Sequence, residues 1–132
     1  MLTIHAGANG AAVLVEGDRI AALAPLAALR EAHPRARVRQ WPGTVGPGLA
    51  HSGPLPDAPS PRERVHALLR RGVTAITDLP ADPALREALK RAAVARNRAR
   101  LAPGARADLA VIDASGECVA TVLAGRLVHR RA

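Results

Sequence analysis

Both ends of this chain are patterned for β-structure, and only about fifty residues lie between Leu49 and Leu101. At the start, short apolar runs at Leu2–Ile4, Ala12–Val15, Arg19–Leu23 and Val38–Trp41 are divided by turn residues. Gly17-Asp18 between two such runs is a hairpin signal. At the end, Leu109–Ile112, Val119–Leu123 and Leu127–His129 repeat the pattern, with turns at Ser115-Gly116 and Ala124-Gly125-Arg126. The middle has room for one or two helices. It has no room for a (β/α)8 barrel, which needs ~200 residues.

The middle opens on a stiff stretch, Pro54 to Pro61, and then carries two helix starts. Ser60-Pro61-Arg62-Glu63 reads as a capping box with proline at the first helical position, and the helix stops at Gly72. Val73–Thr77 is β-branched and apolar enough for a strand. Asp82-Pro83 repeats the cap-plus-proline start, and the spacing of Leu85, Leu89 and Ala92 predicts a second helix reaching about Ala99. A short helix is expected from Pro25 to His33, closed by Pro34. The segment with Pro42, Gly43, Gly46, Pro47 and Gly48 reads as a loop.

The fold class expected is therefore α/β of the α+β kind. A small antiparallel β-sandwich or barrel-like sheet is built from both chain ends, with one or two helices from the central segment. All 132 residues form a single domain: 1–53 and 101–132 are the two sandwich halves, and 54–100 is a Pro-rich loop and helical remnant. Trp41 is the only aromatic residue, so the core must be made of Leu, Val, Ile and Ala. Val13, Val15 and Ile20 are expected to share it with Leu109, Val111, Val122 and Leu127.

The net charge of +8 raises the question of a polyanion partner. All but Lys90 of the 19 basic residues are arginine, and Ala, Arg, Gly and Pro fill more than half of the chain. That skew points to coding bias as well as function, and no Phe or Tyr is present to stack bases. A solvated basic surface is the expectation, with no nucleic acid as partner and an Arg-rich polyanion binder as the further alternative. No stretch of ~20 apolar residues suggests a membrane span, and no secretory leader is read at the start. The single Cys118 cannot form an internal disulfide. A cytoplasmic location is expected.

Three stretches, taken in order, resemble metal-dependent amidohydrolases. They are Val13-Leu14-Val15-Glu16-Gly17-Asp18-Arg19-Ile20 with Pro47-Gly48-Leu49, His66 to Asp78, and Leu101-Ala102-Pro103-Gly104-Ala105-Arg106-Ala107-Asp108-Leu109. The first and last resemble the composite β-sandwich domain of imidazolonepropionase and aminodeoxyfutalosine deaminase. The second resembles the first helix and second strand of the family's barrel. The resemblance implies hydrolysis of carbon–nitrogen bonds other than peptide bonds, by a metal-bound water.

In that family a His-x-His pair follows the Pro-Gly-Leu turn by four and six residues. Those positions are Gly53 and Leu55 here, and neither side chain has a metal donor. His51 lies two residues early, and with Asp57 it forms the one candidate metal pair. His5, His33, His66 and His129 are dispersed, with no ligand spacing. Asp78 ends a barrel-like strand, where loop capping is expected of it, and Asp108 is expected to be structural. Gly7-Ala8-Asn9-Gly10 lacks the P-loop lysine, Ser52 lacks the nucleophile elbow, and Cys118 has no histidine nearby in sequence.

The reading is thus an amidohydrolase-like composite module without catalytic residues or cofactor, acting as a scaffold, binding or regulatory unit. The partner expected is a second copy or another protein, met through the surface vacated by the barrel. The alternative is a hydrolase whose site is completed by a partner or second protomer.

Overall fold

The computed structural model describes residues 1–131. Four strands from the N-terminal end, β1 (Leu2–Ala6), β2 (Ala11–Glu16), β3 (Arg19–Pro25) and β4 (Arg37–Gln40), form one sheet in the order β3-β2-β1-β4. The β2–β3 hairpin turns at Gly17-Asp18, as its sequence predicts, and β4 joins β1 in parallel. That pairing needs a crossover, and helix α1 (Leu26–Ala32) supplies it. Leu29 of α1 packs on Ile4, Ala6, Ala12 and Leu14, which covers one face of the sheet.

The second sheet has the order β10-β9-β8-β5, all antiparallel. Its strands are β5 (Thr44–Pro47), β8 (Leu109–Ile112), β9 (Cys118–Leu123) and β10 (Arg126–Arg130). β5 corrects the reading of residues 42–48 as loop. Gly46 and Pro47 argue against a central strand, but β5 lies at the sheet's edge, where proline removes no needed ladder bond.

The two sheets pack face to face. Val13, Val15 and Ile20 of the first share one core with Val45, Leu109, Val111, Val119 and Val122 of the second, with Trp41 buried among them and Leu127 at its margin. This is the shared core expected from the sequence, and it contains no aromatic residue besides Trp41.

One end of the sandwich is a joint made largely of backbone. Ala107 N–H donates to the Asp18 carbonyl (2.8 Å), Ile20 N–H to Ala105 (2.8 Å) and Gly104 N–H to Ile20 (2.7 Å). Gly125, at φ 81°, presses on Gly17 in the opposite hairpin so closely that a Cβ would overlap its carbonyl oxygen. Glycine is required there on both counts.

Between the sheets in sequence lies a parallel unit. β6 (Leu49–His51) runs into α2 (Pro61–Leu69) and then β7 (Val73–Ile76), which pairs with β6 in parallel. β6 thus leaves the sandwich, whose N-terminal half ends at Pro47. α3 (Pro83–Arg91) follows, and Ala95 then bridges Ala75 in parallel, so a third strand position is begun. Val65, Leu68, Ile76, Leu85 and Leu89 form a separate core here. Thr121 on β9 donates its hydroxyl to the Leu69 carbonyl (2.6 Å), tying the unit to the second sheet.

Both caps predicted for the central helices form. Ser60 Oγ accepts from Glu63 N–H (3.2 Å), and an Asp82 carboxylate oxygen accepts from Ala84 N–H (2.9 Å). The end of α3 differs: it stops at Arg91, eight residues short of the predicted Ala99. Val94 N–H donates to Leu89 and Ala93 N–H to Lys90, which is a Schellman closure with Ala93 at φ 65°. No glycine marks the stop, so the sequence conceals it. Ala93→Gly is expected to raise stability by about 1 kcal/mol, read by urea denaturation, because alanine bears a left-handed penalty that glycine lacks. An unchanged or lower midpoint would show that Ala93 is not strained.

Candidate functional site

β6 and β7 end side by side, at the position where the sequence placed its candidate ligands. Thr77 N–H donates to the His51 carbonyl (3.0 Å), and the His51 ring donates from Nε2 to the Pro54 carbonyl (2.9 Å). Gly53 follows in a left-handed turn, its N–H donating to an Asp78 carboxylate oxygen (3.1 Å). Asp78 therefore caps the loop. Leu55 turns inward and is 5% exposed, in the same core as Val65 and Leu68. Asp57 is exposed, and no hydrogen bond or ion pair joins it to His51 among the described residues.

One residue that sequence reasoning missed holds this loop in place. Arg64 on α2 donates from Nε to the Pro56 carbonyl and from Nη2 to the Leu55 carbonyl, both at 3.0 Å. Proline-rich backbone offers few donors but keeps all its acceptors, and a guanidinium fork meets two at once. Its signal in the sequence was faint, since arginine is the commonest charged residue of the chain.

A divalent metal of the kind the family resemblance implies does not fit these residues. Position 53 offers no side chain, position 55 is hydrocarbon sealed in a core, and the His51 ring nitrogen nearest the loop is already bonded to a carbonyl. Among the described residues, no three His, Cys, Asp or Glu side chains converge on a point.

The other candidates are accounted for by structure. Cys118 is buried, with Sγ 3.4 Å from the Ala120 carbonyl and 3.3 Å from Thr121 Oγ1. His129 reaches the Cys118 carbonyl (3.4 Å), not its sulfur, so no imidazole–thiol pair forms there. His66 is exposed on α2, and Asp108 belongs to the joint between the sheets.

The one buried histidine is His5. Trp41 donates its indole N–H to His5 Nδ1 (3.2 Å), so the ring is neutral with its proton on Nε2. Burial, and next the positive charge of Arg39, lower its pKa from 6.5 to about 4. The folded value lies below the unfolded one, so stability is complete above pH 6.5 and is lost as pH falls from 6.5 toward 4. Between pH 7.5 and 4.5 the native chain is expected to lose about 2–3 kcal/mol more than a His5→Gln variant, measured by urea denaturation. Equal losses in the two proteins would remove His5 as the acid-sensitive group.

Comparison with known families finds one match. The model described as "Imidazolonepropionase-like composite domain, bacteria" matches residues 11–36, the segment containing β2, β3 and α1. It supports the amidohydrolase-like composite domain read from the sequence. No curated protein and no solved structure matches the chain.

Proposed function

We propose that this chain, which carries an imidazolonepropionase-like composite segment, is a non-catalytic binding or scaffold module of the amidohydrolase type. The observation that carries this reading is the fate of the β6 end. Leu55 occupies one position where the resemblance calls for a metal-binding histidine, and it serves as core, while Gly53 occupies the other and serves as a turn. The strand end that would hold a metal-activated water has become the closure of a small β-α-β unit. A module without chemistry acts through what it binds, and the partner is a second copy of the chain or another protein. We place it in the cytoplasm, where a lone buried thiol stays reduced.

Metal content and turnover test the reading together. Purified protein is expected to contain well under one equivalent of Zn, Fe or Mn. EDTA is expected to leave its Tm unchanged. No turnover of imidazolone, dihydropyrimidine or aminopurine substrates is expected with or without added Zn²⁺. Metal-dependent turnover that disappears in His51→Ala would overturn the proposal, because His51 would then be a recruited ligand.

A further inference from the structure

A buried histidine and three arginines gather at one margin of the sandwich, where β4 and β10 are the outermost strands of their sheets. The parallel register of β1 and β4 sets His5 beside Arg39 and Thr3 beside Arg37, so these side chains leave the same face. That face is turned toward the second sheet, because Val13 and Val15, the β2 partners of His5 and Thr3, belong to the shared core. From the opposite sheet comes Arg130, paired in register with Ala120 of the same core. Its guanidinium carbon lies 5.8 Å from the centre of the Trp41 ring. The cations are close together: burial, and next the charges of Arg37 and Arg130, lower the Arg39 pKa.

The floor beneath these arginines sets them apart from the others of the chain. The His5 and Trp41 rings are inclined by only 12° and joined through the indole N–H, so they form one nearly continuous plate. With Nδ1 taken by the indole, the His5 proton sits on Nε2, and that N–H has no partner among the described residues. His5 is 3% exposed, and a buried donor left unpaired is costly. The polar atoms sealed from solvent without a partner are Thr74 Oγ1 and Arg106 Nη2, so His5 Nε2 keeps an opening to solvent, with Arg39 standing beside it. Arg37, Arg39 and Arg130 have no carboxylate partner among the described residues. Like charges gathered around an unpaired N–H are relieved by an anion, and guanidinium forks suit phosphate oxygens.

We propose that this margin binds a tetrahedral oxyanion of the phosphate class, held by the Arg39 and Arg130 forks, with Arg37 adding charge and His5 Nε2–H donating from beneath. A phosphoryl group offers enough terminal oxygens for both forks and the imidazole N–H, whereas a carboxylate leaves one of these donors unpaired. The Trp41 bond fixes the tautomer that donates from Nε2, so the histidine serves while neutral. A nucleic acid fits less well: Trp41 is the only aromatic residue and is 7% exposed beneath Arg130, so it cannot stack a base. This inference goes beyond the reading of the β6 end and does not depend on it.

Calorimetric titration of the full chain with inorganic phosphate, phosphoserine and acetate tests it, with Trp41 emission and the His5 ring-nitrogen NMR resonances as local reporters. One saturable phosphate site is expected, its occupancy followed by Trp41 emission and by a shift of the His5 Nε2 resonance. Arg39→Gln and Arg130→Gln are each expected to weaken binding about tenfold or more. Arg96→Gln with Arg98→Gln removes charge at exposed positions after α3 and is expected to change affinity less than about twofold. Should either single variant fold poorly, the His5 resonance of the native chain carries the decision. Tighter binding of phosphoserine than of phosphate would assign an esterified ligand, the reverse order the free anion, and either supports the site. Absence of saturable binding, an unmoved His5 resonance or equal loss in the control variant would overturn it. Acetate binding as tightly as phosphate would overturn the phosphoryl assignment.

Discussion

A chain ending at Arg100 is expected to be unfolded throughout, not merely shortened. Residues 101–131 provide β8, β9 and β10, leaving β5 as the only strand of the second sheet. Their loss exposes Val13, Val15, Ile20 and Val45 and removes Leu109, Val111, Val119 and Val122 from the shared core. At ~2 kcal/mol for each large apolar side chain, the deficit approaches the whole stability of a domain this size. Circular dichroism and urea denaturation of the truncated chain decide the matter. A cooperative transition like that of the intact protein would mean the N-terminal sheet folds alone and the sandwich is not one unit.

Replacing Asp108 is expected to have the next largest effect. Asp108 is 3% exposed. Its carboxylate accepts from Arg106 Nε at 3.0 and 2.9 Å and from Ala124 N–H at 2.8 Å. It thus neutralises a guanidinium whose Nη2 is buried without an acceptor, and it fixes the hairpin whose Gly125 meets the opposite hairpin. Asp108→Ala leaves that guanidinium uncompensated and orphans the Ala124 N–H, a loss of about 3 kcal/mol or more. Asp108→Asn keeps an acceptor for Ala124 and should lose less. If Asp108→Ala lies within about 1 kcal/mol of the native chain by urea denaturation, the ion pair does not hold the joint.

The locally encoded elements were legible because their signals are short-range. Ser60 and Asp82 start helices with bonds reaching two or three residues, and Gly17-Asp18 turns a hairpin between two apolar runs, so each is readable from a window of a few residues. The end of α3 was not legible, because Ala93 adopts a left-handed conformation that only packing of the following chain enforces. β5 was hidden for a related reason: a proline-bearing segment becomes a strand only if it lands on a sheet edge, and the edge belongs to residues more than sixty positions away.

The candidate site divides in the same way. That Gly53 and Leu55 cannot bind metal follows from their side chains alone, before any fold is known. Where His51 and Asp57 point is a matter of tertiary structure, which turns the His51 ring to Pro54 and leaves Asp57 exposed. Residue type and local spacing determined the caps, the hairpins, the aliphatic core and the missing ligands, because these depend on chemistry within a few residues. The parallel β1–β4 pairing, the edge position of β5 and the buried His5–Trp41 pair were decided only when the sheets closed on each other, because each depends on distances between remote parts of the chain.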